Sequence, residues 1–126
     1  MNNVAGIILL VDDIGGSVSF YKKLGFSVAK EVPQIATTVC LGDFWVELLH
    51  RTKVVTEEYK EDREKSAKGA GAYLQVQVED VDAFYRSVIS SGIDVPHEPQ
   101  DYPWNQREFT VRDPDGYKLT FFTKSS

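Results

Sequence analysis

Apolar positions recur along this chain with two different periods. Val81, Phe84, Tyr85, Val88 and Ile89 fall at i, i+3, i+4, i+7 and i+8, the single stripe of a helix that packs one face on a sheet. The other apolar stretches are short: Val4 to Val11, Phe26 to Val32, Ile35 to Leu41, Phe44 to His50, Arg107 to Arg112 and Tyr117 to Thr123. Their β-branched and aromatic content predicts strands. Asp94 to His97 reads as one more short strand after the second helix. Pro33-Gln34, Gly42-Asp43 and Asp113-Pro114-Asp115-Gly116 mark the turns, the last as a strong hairpin signal.

The pattern occurs twice. Val11-Asp12-Asp13-Ile14 returns as Val78-Glu79-Asp80-Val81, 78 − 11 = 67 residues later, and the same spacing carries Gly25-Phe26 onto Gly92-Ile93. Asp13 and Asp80 are placed to accept the free N–H groups of a helix start, where a carboxylate also complements the helix dipole. Gly25 and Gly92 suit the left-handed position that closes a helix. Further on, Gly42-Asp43-Phe44-Trp45-Val46-Glu47 aligns with Asp115-Gly116-Tyr117-Lys118-Leu119-Thr120 at 120 − 47 = 73. The second half therefore gains 73 − 67 = 6 residues, expected between Pro96 and Gln106. Each half reads βαβββ, and the fold class is α+β with two tandem units.

Composition narrows the function. A chain of 126 residues fits one domain, or two small halves sharing a core. With 42% hydrophobic and 26% charged residues it reads as a soluble globular protein. Against 14 Lys and Arg stand 19 Asp and Glu, a net charge of −5 with no basic run, which argues against a nucleic-acid partner. A single cysteine, Cys40, excludes an internal disulfide framework and a Cys-rich zinc site. The run Val4 to Val11 is short and ends at Asp12 and Asp13, so it suits neither a signal peptide nor a membrane span. The expected location is the cytoplasm, with no membrane partner.

Between the halves, Thr52 to Gly69 is crowded with Glu57, Glu58, Lys60, Glu61, Asp62, Arg63, Glu64, Lys65 and Lys68. A solvated connector with one helical turn and a mobile lid over a pocket are both open. The expected organisation is one domain, 1–126, with unit one at 1–51, the connector at 52–69 and unit two at 70–126.

These residues carry a resemblance. Paired βαβββ units, Val11-Asp12-Asp13-Ile14, Ser17, Phe20-Tyr21, Leu24-Gly25-Phe26 and the closing run from Arg107 to Gly116 resemble the vicinal-oxygen-chelate superfamily. That group includes glyoxalase I, extradiol dioxygenases, fosfomycin-modifying enzymes and bleomycin-resistance proteins. The resemblance implies curved mixed sheets with flanking helices, forming a cup in which metal-dependent members place four ligands, usually His or Glu. Carried over, those positions are Gly6, Glu47, Tyr73 and Thr120. Only Glu47 is an ordinary metal ligand, and a transition-metal site needs several convergent donors. No metal or other cofactor is therefore expected. His50 stands on the opposite face of its strand from Glu47 by the period of two, and His97 lies by the inserted loop.

Without a metal the cup still implies a pocket. If the family's inward positions hold, Trp45, Glu47, Tyr73, Gln75, Thr120 and Phe122 line it, with aromatic walls and a few directed polar groups, as a small-molecule site requires. The structural alternative makes Trp45 and Phe122 plain core and pairs Glu47 with Arg107 or Arg112. Tyr102-Pro103-Trp104 leading into Arg107-Glu108-Phe109 resembles the loop of the bleomycin-resistance branch whose aromatic borders the ligand groove. Trp104 is thus either a stacking face for a planar ligand or a plug folded onto the sheet.

Three classes of function follow. The first is metal-independent binding of a small molecule, sequestering an antibiotic or another bulky, partly aromatic compound as bleomycin-resistance proteins do. The second is an enzyme acting on a small metabolite with Glu47 as catalytic general base. The third is a scaffold that keeps the fold for oligomerisation. Whether there is turnover is left open by the sequence, and relatives of this length imply a symmetric homodimer.

Overall fold

Strands and helices follow one another much as the periodicity predicts. The computed structural model describes residues 2–65 and 68–125, with elements β1 (Gly6–Val11), α1 (Ile14–Lys23), β2 (Ser27–Val32), β3 (Ala36–Leu41), β4 (Phe44–His50), a 3₁₀ turn (Arg51–Lys53), α2 (Glu57–Lys60), β5 (Tyr73–Gln77), α3 (Val81–Ser90), β6 (Gln100–Tyr102), β7 (Gln106–Arg112) and β8 (Lys118–Lys124). Asp13 and Asp80 open α1 and α3 with the same backbone geometry, φ −137° in both and ψ 100° and 101°. Each carboxylate accepts the N–H three residues on, from Gly16 at 3.2 Å and Ala83 at 3.1 Å. Past the helices, Gly25 and Gly92 take φ of +98° and +90°, a region costly for any side chain with a Cβ.

Four strands per unit form a mixed sheet, ordered β1-β4-β3-β2 in unit one and β5-β8-β7-β6 in unit two. In both, the first strand runs parallel to the fourth and the other pairs are antiparallel. The spacings read from the sequence reproduce the register. Gly6↔Trp45 in β1·β4 corresponds to Tyr73↔Lys118 in β5·β8, since 6 + 67 = 73 and 45 + 73 = 118.

Each unit packs its helix on one face of its sheet. In unit one α1 lies against β2, β3 and β4, and Tyr21, Val39, Val46 and Leu48 are fully buried. In unit two the apolar stripe of α3 meets an aromatic face: Phe84 lies 4.8 Å from Phe121, ring to ring, and Phe121 lies 5.4 Å from Phe109. The chain separates into compact units at 1–66 and 67–126. Most of the connector thus goes with unit one. Arg51 explains this locally, because its guanidinium pairs with Asp12 at the end of β1 and with Glu64 in the connector at 3.2 Å. Most side chains from Thr52 to Lys65 are exposed, and α2 supplies the one helical turn; Ser66 and Ala67 of the connector lie outside the described residues. Among the described residues no helix is long and apolar enough to cross a membrane.

One expected strand is misplaced. Asp94 to His97 is irregular, and the strand beside β7 is β6, only three residues long. Pro96 and Pro99 account for the shift, since neither can donate an N–H to a ladder. Register also locates most of the insertion. Cys40↔Trp45 corresponds to Arg112↔Lys118, a spacing of 112 − 40 = 72 for β3 and β7. By that spacing Ala36 maps to Glu108, whose partner is Gln100, while the partner of Ala36 is Val32, a spacing of 100 − 32 = 68. Four of the six extra residues, 72 − 68, therefore lengthen the β6–β7 hairpin.

Arg107 fastens this longer hairpin. Its Nε and Nη2 donate to the two carboxylate oxygens of Asp82 on α3, both at 3.0 Å, and Nη1 donates to Asp101 at 3.2 Å. The hydrogen bond from Arg107 holds the Asp82 carboxyl below its ordinary range, with Arg107 and Arg86 charge adding to the effect. A lowered carboxylate contributes stability above its unfolded pKa and loses it as pH falls through the folded one. Asp82→Asn should cost at most about 1 kcal/mol at neutral pH, because both side chains remain partly open to solvent. In urea melts the gap to the parent should close as the pH drops below the ordinary aspartate range; a gap that persists there would rule out the charge as its cause.

Candidate functional site

Apart from Trp104, the site residues singled out from the sequence stand on the sheet faces turned away from α1 and α3. In unit one, alternation puts Trp45, Glu47 and Leu49 on one face of β4, level with Gly6, Ile8 and Leu10 on β1 and with Cys40, Thr38 and Ala36 on β3. Trp45 and Glu47 are half-buried. Arg107, one of the partners considered for Glu47, is engaged by Asp82 and Asp101. Among the described residues Glu47 forms no ion pair.

In unit two the same alternation gathers Tyr73, Gln75, Thr120 and Phe122 on one face, with Gln75 directly level with Thr120. Thr120 is 3% exposed and Tyr73 55%. The Thr120 hydroxyl shares a 2.8 Å hydrogen bond with Thr110 across β7·β8, so its burial leaves no polar group unsatisfied. Trp104 occupies the turn at the tip of the β6–β7 hairpin. Asn105 beside it has φ 61°, a conformation that Asn enters more readily than most residues. The indole stacks on Tyr102 with ring centres 4.8 Å apart and planes 10° apart, while its Nε1–H donates to Glu108 at 2.8 Å. Because Trp104 is 57% exposed, it is no buried plug.

Tyr102 and Glu108 were not among the sequence candidates, yet they set the position of the indole. The hairpin register supplies the missing signal: Tyr102 pairs with Gln106, two residues before Glu108 on the same face. His50 proves to be a cap, its Nδ1 accepting the Thr52 N–H at 3.3 Å, and His97 is exposed. A shallow groove on α1, lined by Gly15, Val18, Ser19, Lys22 and Lys23, contains none of the site residues.

A family model described as Glyoxalase/Bleomycin resistance protein/Dioxygenase superfamily matches residues 3–121. The chain belongs to this superfamily. A bleomycin resistance protein of Geobacillus stearothermophilus is 28% identical over 124 residues, 90% of this chain and 91% of its own. The Bacillus subtilis protein YraH is 33% identical over 115 residues, 86% and 88% of the two chains. Among solved structures, a glyoxalase/bleomycin resistance protein/dioxygenase from Nocardioides matches with TM-score 0.78 at 22% identity, covering 100% of this chain and 85% of that one. Lactoylglutathione lyase from Agrobacterium tumefaciens matches with TM-score 0.76 at 16% identity over 98% and 94%. The likeness to these two structures is one of fold.

Within the superfamily, the positions that the resemblance assigns to metal ligands are Gly6, Glu47, Tyr73 and Thr120. Glycine offers no donor, and neutral phenol and hydroxyl groups are weak ones, so this set does not fit a transition-metal ion. Packing at position 6 reinforces the mismatch. A Cβ added to Gly6 would collide with the carbonyl oxygen and indole ring of Trp45; the indole already fills the space that a ligand side chain there would need. Among the described residues no three His, Cys, Asp or Glu side chains gather where they could hold a metal ion.

Proposed function

We propose that this protein binds a bulky, partly aromatic small molecule, such as an antibiotic, without a metal ion, and sequesters it. The observation that carries this reading is the Trp45 indole seated over Gly6: an aromatic wall stands where a metal-dependent relative would place a ligand. Candidate contact residues are Trp45 and Glu47 in unit one and, in unit two, Tyr73, Gln75, Trp104, Thr120 and Phe122. Support for a binding role also comes from Trp104, whose outer indole face is open for stacking while its inner face and N–H are fixed. Preorganisation of that kind lowers the entropy lost on binding. The curated relatives named for bleomycin resistance point the same way, and a charge of −5 favours the approach of cationic compounds. The working form is a cytoplasmic two-fold homodimer, to be checked as a light-scattering mass near twice 14.2 kDa.

The test is a fluorescence titration of metal-analysed protein with bleomycin. Saturable quenching at a fixed stoichiometry is expected, and Trp104→Ala should weaken binding by about 1 kcal/mol, roughly fivefold. One equivalent of zinc, nickel, iron or manganese held through Glu47 would sink the metal-free reading. Glu47 lacks an ion-pair partner among the described residues, which keeps a second reading: an enzyme with Glu47 as general base. Turnover of a small metabolite that disappears in Glu47→Gln would favour that reading over sequestration.

A further inference from the structure

On the face of sheet two turned away from α3, Tyr73, Lys118 and Arg112 stand side by side on three neighbouring strands. Tyr73 is level with Lys118 across β5·β8, and Lys118 is level with Arg112 across β7·β8. Residues opposed in this way share a face with Cβ atoms about 5 Å apart, and like charges so placed repel. Among the described residues Arg112 and Lys118 form no salt bridge, although the chain has 19 acids against 14 bases. The carboxylate adjoining Arg112 is committed elsewhere: Asp113 is buried and accepts the backbone N–H groups of Asp115 and Tyr117 at 3.0 and 2.9 Å.

Lys118 is half-buried, with its ammonium 5.1 Å from the centre of the Tyr73 ring. The ring favours the cation there without saturating its N–H donors. Arg112 is exposed beside it. The corresponding row in unit one is Gly6, Trp45 and Cys40. It carries no formal charge, so the paired cations belong to unit two and not to the repeated framework.

We propose that the row Tyr73, Lys118 and Arg112 is an oxyanion subsite that takes a carboxylate or phosphate group. Arg112 offers a planar fork of donors and Lys118 a compact charge, and a bound oxyanion removes the repulsion between them. Four residues along β8 from Lys118, about 13 Å at the usual strand rise, Phe122 stands on the same face. A ligand lying along the strand would put its anionic group on the cations and its apolar body against Phe122. As a statement of ligand class this rests on the proposed binding function, whereas the subsite can be tested with simple anions.

Inorganic phosphate and acetate, titrated separately at constant ionic strength against chloride, should each give or withhold saturable amide NMR shifts around residues 73, 112 and 118. Saturation by at least one of them is expected; phosphate alone assigns a phosphate-bearing ligand, acetate alone a carboxylate. Lys118→Gln and Arg112→Gln should each weaken it at least tenfold, while Lys22→Gln with Lys23→Gln, a charged pair on α1, should leave it unchanged. Non-saturating shifts, equal shifts with chloride, or saturation that survives the Lys118→Gln, Arg112→Gln double variant overturns the subsite. Anion saturation without bleomycin binding removes the proposed sequestration and leaves the subsite standing. The converse removes the subsite alone.

Discussion

Gly6→His is expected to destabilise the protein by about 2–3 kcal/mol and to leave it without a bound metal ion. The reason is local. A Cβ at position 6 meets both the Trp45 ring and the Trp45 carbonyl oxygen; the ring can turn, but the carbonyl belongs to the strand paired with β1 in register Gly6↔Trp45. Relief therefore requires opening the β1·β4 ladder, and overpacking of this kind costs about 1–3 kcal/mol, sometimes more. For a chain of this size the melting temperature should fall by about 10 °C. Circular dichroism melts and elemental analysis check both halves of the claim. Adding Trp45→Ala frees the ring but not the carbonyl, so only part of the loss should return. A Gly6→His protein as stable as the parent and carrying one equivalent of metal would falsify the packing argument.

A larger loss is expected from Phe121→Ala, about 3–5 kcal/mol. Phe121 is fully buried and touches the rings of Phe84 and Phe109, so truncation leaves a cavity bounded by a helix and two strands that cannot both close on it. The effect should reach the site through alternation along β8, because Thr120 and Phe122 on the opposite face of the sheet flank the anchor. Urea unfolding should show the loss, and amide exchange should quicken along α3 and β8. A change below 1 kcal/mol would mean that the aromatic cluster is not the core of unit two.

Most of the framework was legible because it is written twice. The spacings of 67 and 73 residues recover the caps at Asp13 and Asp80 and the closing glycines, and once β1 is seen paired with β4 they carry that register onto β5 and β8. What escaped the sequence depends on partners brought close by pairing. The meaning of Gly6 appears only when Trp45 is known to lie beside it, and the confrontation of Arg112 with Lys118 only when β7 and β8 are in register. Glu108 reaches Trp104 across a hairpin whose start the sequence misplaced by several residues. There the two prolines outweighed a repeat that otherwise predicted a strand. Trp45, Glu47, Tyr73, Gln75, Thr120 and Phe122 could be sorted onto faces by period alone, since alternation is a property of each strand by itself.

The lengthened β6–β7 hairpin bears on how such a protein can change over generations. Beyond Gln100↔Glu108 its four added residues have no counterpart in unit one, and the tie from Arg107 to Asp82 is its link to α3 in the ion-pair network. Mutations at the tip can therefore redraw what Trp104 and Tyr102 present to solvent while the ladders and the two helix caps stay as they are. Selection for a new ligand and selection for a stable fold then act on different stretches of the chain, so either can proceed without undoing the other.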